Sequence, residues 1–313
     1  MTNYDLCLAW SWKYDADFAS MLASACQCQG LTLLQITPEN VEHLLSAILN
    51  YELGFRSFFD RASDEDPRLL PLVDWLAGQD VYCINRFKMA RRAWNKAAMH
   101  LLFTSAGLHT PHTIIIPPFD QQPDLDPLDL TSLGEVFSIK PAHGGGGVGV
   151  VTMATAWDQV LAARREFPGD RYLLQAYIIP AHLEGRLAWF RVLHCCGQTY
   201  PCWWDTNTHL YTPVEPAEME FYRLRPLYEI TASIARISRL ELFSTEIAHT
   251  ADGSFVTIDY INDPIDLRLQ SNAFEGVPDF IVMAIADRIA TMVALTKKIN
   301  VLPETLAIPT GSS

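Results

Sequence analysis

The sequence has 313 residues, 49% of them hydrophobic and 19% charged, with a formal net charge of −13. That length allows two or three domains, and that balance supplies apolar cores and argues against global disorder. With 23 Lys and Arg against 36 Asp and Glu, no basic face is expected and general nucleic-acid binding is disfavoured. Nucleotides stay open, because they arrive as magnesium complexes and need only a few local cations.

The start, MTNYDLCLAW, has no basic region ahead of a long apolar core, so no signal peptide is expected. No run approaches the roughly 18 apolar residues of a membrane span. Seven cysteines at positions 7, 26, 28, 83, 195, 196 and 202 form no disulfide framework, and reduced thiols in a cytoplasmic protein are the expectation. Cys195, Cys196 and Cys202 with His194 and His209 lack zinc-site spacing and read as ordinary packing.

Tyr4 to Ala9 alternates as a strand, with a Trp10-Ser11-Trp12 loop after it. Helices follow from Asp15 to Gln29, from Pro38 to about Asn50 and from Pro67 to Ala77, interleaved with strands at Leu31–Ile36, Phe55–Asp60 and Val81–Ile84. This alternation predicts a small parallel α/β domain over residues 1 to about 90. Met89 to Ala106 reads as one helix carrying Lys96 and ending at Gly107. Thr113–Ile116 is a strand, and a loop rich in Pro and Asp leads on to residue 129.

The stretch Glu135 to Val151, E-V-F-S-I-K-P-A-H-G-G-G-G-V-G-V-V, holds five of the sixteen glycines between positions 144 and 149. Its order is strand, loop, strand, with Lys140 ahead of the glycines and Val148–Val151 behind them. A Walker loop needs G-K-[ST] and a following helix, and a dinucleotide fold needs a following helix too. A glycine hairpin can instead fold over an anion, its N–H groups forming a nest and its lysine a point charge. A surface hairpin without a ligand is the plainer alternative.

Beyond it, Ala154–Phe167 reads as a helix, Tyr172–Ile179 as a strand and Leu187–His194 with Gln198–Trp204 as a hairpin around Gly197. Glu218–Leu240 is largely helical, and Asp279 to about Lys297 forms an amphipathic helix. Between them, Leu242–Ala248 and Phe255–Asn262 flank an Asp252-Gly253 turn and should pair antiparallel, setting Glu246 beside Asp259. Two acids amid apolar residues call for compensation. A divalent cation is a common way to provide it, and Asn262 offers a further oxygen; the alternative is that Glu246 and Asp259 point into solvent on an exposed strand face.

In order, Asn95-Lys96, I-K-P-A-H-G-G-G-G-V-G-V, Q-A-Y-I-I, F-R-V and E-I-A…D-G-S-F-V-T-I-D-Y-I-N resemble the ATP-grasp superfamily, nearest its glutathione-synthetase-like and RimK-like carboxylate–amine ligases. The resemblance covers about residues 81 to 295. It implies an α/β ATP-grasp fold with a preceding α/β domain over 1–90, a small lid subdomain over 91–180 and a metal-bearing subdomain over 181–313. It also implies that Lys96 and Lys140 contact ATP phosphates under a lid of Gly144, Gly145, Gly146 and Gly147. Gln175, Ala176, Tyr177 and Ile178 would be the adenine hinge, Glu184 would lie near the ribose, and Arg191 would face the transferred phosphate. Glu246, Asp259 and Asn262 would hold one or two magnesium ions, for which manganese can substitute.

The expected reaction is ATP-dependent joining of a small-molecule carboxylate to an amine. A kinase acting on a hydroxyl group and a non-catalytic ATP-binding regulator are the alternatives, and a homo-oligomer is compatible with either. Three departures stand out. Family members place the last acid two residues before the asparagine, where this chain has Tyr260, so Asp259 needs a bulge to share a face with Asn262 unless Asp263 is the ligand instead. The acid expected two residues before Arg191 is Trp189, and the arginine usual in the next strand is replaced near Trp203-Trp204. Arg268 is a candidate to grip a substrate carboxylate, with a structural salt bridge as the competing role.

Overall fold

The computed structural model describes residues 2–299, so the last part of the segment expected to run to 313 lies outside the described residues. The chain divides into two compact units. One comprises the residues up to Ile84 together with those from Phe280 onward, the other Asn85–Asp279.

The first unit is a parallel sheet of β1 (Thr2–Trp10), β2 (Leu33–Ile36), β3 (Leu53–Arg61) and β4 (Tyr82–Ile84), in the order β2-β1-β3-β4. It is connected through α1 (Ala16–Cys28), α2 (Val41–Leu49) and α3 (Leu70–Leu76). Leu6, Cys7, Leu8 and Ala9 are wholly buried in the inner strand β1, as a parallel strand covered on both faces requires. Arg61 at the end of β3 donates from Nε and Nη2 to both oxygens of Asp15, at 2.9 and 2.6 Å, with 2% of either side chain exposed.

The second unit begins with α4 (Phe87–Ala93) and α5 (Lys96–Ser105). The single helix expected over 89–106 is therefore broken. Asn95 is extended (φ −85°, ψ 97°) and its Oδ1 accepts from Ala98 N at 2.8 Å, capping α5 and placing Lys96 in the first turn.

A four-stranded antiparallel sheet follows, from β5 (Thr113–Ile116), β6 (Phe137–Pro141), β7 (Val151–Ala154) and β8 (Tyr172–Ala176), in the order β5-β8-β6-β7. The helix α6 (Trp157–Glu166) covers one face through Phe137, Ile139, Tyr172 and Leu174. Period-two alternation turns Lys140 and Gln175 to the other face. The expected strand Val148–Val151 starts only at Val151, because four of the loop's five glycines take positive φ and lengthen the turn. The run Tyr172–Ile179 leaves the sheet after Ala176.

The hairpin β9 (His182–Leu183) and β10 (Arg186–Leu187) leads into a second antiparallel sheet. Its strands are β11 (Trp189–Cys195), β12 (Gln198–Trp204), β13 (Tyr211–Pro213), β14 (Leu242–His249) and β15 (Phe255–Asn262), in the order β13-β12-β11-β14-β15. Two helices, α7 (Pro216–Phe221) and α8 (Pro226–Ser238), replace the one expected over 218–240, with Pro226 opening the second. Phe190, Val192, Trp203 and Ile247 pack together with Leu224 and Leu227 on one face of this sheet. Arg191 and Glu246, alternating with them, lie on the opposite face.

The last helix, α9 (Asp279–Ile299), belongs to the first unit from Phe280 onward. Ile281, Ile285, Ile289 and Val293 are buried at four-residue spacing. Lys297 Nζ donates to Asp5 at 3.1 Å and Gln29 to Thr291 at 3.1 Å. Among the described residues, no helix is long and apolar enough to cross a membrane.

Candidate functional site

The register of β14 and β15 builds the acidic centre. Glu246 lies opposite Asp259, while Ser244 lies opposite Asn262. One residue of β14, Thr245, thus faces two of β15, Tyr260 and Ile261, which is a β-bulge. The extra residue restores Asp259 and Asn262 to one face. Thr245 Oγ1 donates to the Asp259 carbonyl at 3.0 Å, tying the irregular backbone to its neighbour.

Arg191 on β11 lies opposite Glu246. Its Nη1 is 3.4 Å from Glu246 Oε1, its Nε donates to Ser244 Oγ at 3.3 Å, and its guanidinium sits 4.8 Å over the Trp204 ring. Trp189, in the place of the expected acid, donates its indole N–H to Glu246 Oε2 at 2.9 Å. Burial pushes the Glu246 carboxyl above its ordinary range, against the pull of Arg191 and with the push of Asp259.

Lys140 reaches the same centre from the first antiparallel sheet and donates to the Ile258 carbonyl at 3.3 Å. Burial holds its ammonium below the usual lysine range. Asp259 and Glu246 work against that shift, and Lys96 adds to it. Both acids and both lysines therefore act within one electrostatic neighbourhood.

Lys96 grips the root of the glycine loop. Its N–H donates to Ala142 O at 2.7 Å and its Nζ to the Gly144 carbonyl. His143, beside that root, is held by Asp170 at two points: its backbone N–H donates to Oδ2 at 2.8 Å and its Nδ1 lies 2.9 Å from Oδ1. Beyond the loop, Gly149 has φ +71°, and a Cβ there would lie 2.5 Å from Phe167 Cε2. Any side chain would clash there. Gly144 to Gly147 face open space on this measure.

The four expected hinge residues divide. Gln175 is paired in the sheet on both sides, and its buried side chain donates to Thr113 and Tyr260. Ala176 N–H is taken by His112 O at 2.9 Å. Tyr177 and Ile178 lie beyond the strand end. Glu184 takes φ +46° in the β9–β10 turn next to Gly185.

Arg268 is engaged by Asp266, at 2.8 Å from Nε and 2.6 Å from Nη2, with Glu275 at 3.6 Å. The charge of Asp266 also acts on Arg191, so this loop borders the same centre. Asp263 accepts from Asn85 Nδ2 at 2.8 Å.

The donor set fits a divalent cation. Glu246 and Asp259 are adjacent acids, and the buried Nδ2 of Asn262 has no hydrogen-bond partner, leaving that amide unanchored at their side. Among the described residues no group of three or more His, Cys, Asp or Glu gathers to hold a metal. Any ion here needs oxygens from a ligand such as a phosphate, as magnesium sites commonly do.

Sequence reasoning assigns no role in the site to Trp189, Ser244 or Trp204. A signal for two of them does exist along the chain. Trp189 shares a strand face with Arg191 at period two, and Ser244 likewise alternates with Glu246.

Comparison of the sequence with known protein families and with curated proteins finds no match. Comparison of the structure with solved structures finds similar folds. A D-alanine–D-alanine ligase from Bacillus anthracis superposes with a TM-score of 0.65 at 12% identity, over 96% of this chain and 98% of that one. The ATP-grasp ligase PsnB, complexed with a minimal precursor, Mg and ADP, gives 0.61 at 11% identity over 95% and 100%. A RimK-domain ATP-grasp protein from Sphaerobacter thermophilus gives 0.60 at 16% identity over 92% and 99%. The chain has the ATP-grasp fold.

Proposed function

We propose that this protein is an ATP-dependent carboxylate–amine ligase that works through an acyl phosphate and binds ATP with magnesium. One observation carries the reading: Lys140, Arg191, Glu246 and Asp259, from two separate sheets, share one partly buried centre beside a glycine loop held by Lys96. The Mg and ADP complexed with the PsnB ligase fit the same reading.

In this scheme Lys96 and Lys140 lie against phosphate oxygens, and Gly144 to Gly147 close over them and exclude water, which would hydrolyse the acyl phosphate. Tyr177 and Ile178 offer backbone groups to adenine, and Glu184 lies toward the ribose. Glu246, Asp259 and Asn262 hold magnesium, which when bound neutralises charge on the triphosphate. Asp263, occupied by Asn85, is left out of that set.

A substrate carboxylate oxygen attacks the γ-phosphorus; the P–O bond to the β-phosphate breaks and ADP leaves. An amine then attacks the acyl carbon and phosphate departs, leaving an amide. Arg191, fixed by Ser244, Glu246 and Trp204, meets the charge on the transferred group. Arg268, paired with the Asp266 whose charge acts on Arg191, would meet the substrate carboxylate once Asp266 releases it.

The test is ADP release with a panel of carboxylic acids and amines, with hydroxylamine added as a trap. A hydroxamate supports the ligase. ADP release without a hydroxamate supports a hydroxyl-directed kinase, and nucleotide binding without turnover supports a regulator.

A further inference from the structure

The bulge that gathers Asp259 and Asn262 is anchored from outside its own sheet. Its two extra-register residues, Tyr260 and Ile261, are 2% and 9% exposed and belong to one apolar cluster with Met99, Phe103, Leu173 and Phe243. The Tyr260 hydroxyl accepts from Gln175 Nε2 at 2.8 Å and is hydrogen-bonded to His100 Nδ1 at 2.7 Å. Gln175 Nε2 also donates to Thr113 Oγ1 at 3.0 Å, which fixes its amide orientation. The Tyr260 ring stacks on His100 and meets Phe103 edge-on.

These partners come from the elements that carry the rest of the site. Gln175 is on β8, one residue before the strand ends at Ala176. His100 is on α5 four residues after Lys96, so the two share one helix face. A bulge in a β-strand is a local irregularity with competing registers, since a shift of one residue turns every side chain to the other face. Here one buried hydroxyl is satisfied in the same register that presents Asp259 and Asn262 together. A chain whose last acid stood two residues before the asparagine would need no such pin.

We infer that Tyr260 is a positioning residue for magnesium: through Gln175 and His100 its hydroxyl locks the β15 bulge and so fixes the two metal-ligating side chains that flank it. The inference rests on the magnesium–triphosphate reading of the site.

The test is Tyr260→Phe, titrated by calorimetry with a non-hydrolysable ATP analogue in EDTA, then with MgCl2 at saturating analogue. The expected result is a magnesium affinity lower by about tenfold, the scale on which groups that orient metal ligands act, while metal-free nucleotide affinity changes by less than about twofold. Gln175→Leu, which removes the donor without touching β15, is expected to move magnesium affinity in the same direction and serves if Tyr260→Phe does not fold. An unchanged magnesium affinity in either folded variant overturns the inference, as does an equal weakening with and without metal. If the wild-type protein binds neither nucleotide nor magnesium, the ligase reading fails instead.

Discussion

Glu246 on β14 stands directly across from Asp259 on β15, and the same Glu246 receives the Trp189 indole and faces Arg191. Arg191 and Lys140 offset part of the repulsion between two carboxylates so placed, and on the proposed function magnesium would offset more, so metal dependence is the first property to test. Glu246→Gln keeps the shape and removes one charge. Magnesium should then no longer strengthen nucleotide binding, and ADP release should fall by roughly a hundredfold or more, the scale of losing one electrostatic group from a preorganised site. Chelation with EDTA should silence the wild type to a similar degree. Activity of Glu246→Gln that still rises with added magnesium would count against this assignment.

Burial lowers the Lys140 ammonium below the usual lysine range, and the two acids oppose that shift. Lys140→Ala should leave far-UV circular dichroism unchanged while nucleotide affinity, read by calorimetry, drops by about two orders of magnitude, in line with loss of a charged contact to phosphate. Wild-type affinity in this variant would remove Lys140 from the phosphate site.

The glycines of the loop are not equivalent. Gly149→Ala must hold φ +71° with its Cβ against Phe167, and a loss of about 1–3 kcal/mol in denaturant unfolding is expected. Gly145→Ala meets nothing within 4 Å and should be close to neutral in stability. Equal stabilities for the two variants would refute the distinction.

Asp15 and Arg61 form a buried bidentate pair in the first unit. Asp15→Ala strips the buried guanidinium of its bidentate carboxylate, and the cost should reach about 3–5 kcal/mol. Replacing both partners with apolar residues should recover part of that loss. A double variant no more stable than Asp15→Ala would contradict the account.

His100 carries the pH prediction. Burial, followed by the charge of His112, lowers its pKa below the ordinary 6.5. The unfolded chain then binds the proton more readily than the folded one. Stability attributable to this residue is complete above about 6.5 and declines as the pH falls from there toward the folded value. Thermal melts of wild type and His100→Phe should diverge in this sense, the wild type losing more Tm than the variant between neutral and mildly acid pH. Parallel curves would mean that His100 does not titrate across unfolding.

Much of this is legible along the chain because the signals are local. Alternation in Phe137–Lys140 sets Lys140 opposite the α6-facing residues, and the Asp252-Gly253 turn makes β14 and β15 antiparallel neighbours, although Glu246 meets Asp259 only through a register shift at Ile258 that the turn does not specify. Glycine density marks the loop because positive φ is a property of single residues. The break at Asn95 is also local, an N-cap within an otherwise continuous helical pattern, and the apolar spacing on either side masks it.

What folding alone decided is long-range. The bulge at Tyr260 depends on a hydroxyl meeting His100 and Gln175, which lie 160 and 85 residues away. Asp263 is diverted by Asn85 from 178 residues away, and Trp189 takes up an acceptor on a strand 57 residues later. Pattern and turn chemistry dictate which residue types line each strand, since they act over a few bonds. Register and partner choice are settled only when the sheets pack, because only then does each buried polar group find, or fail to find, its match.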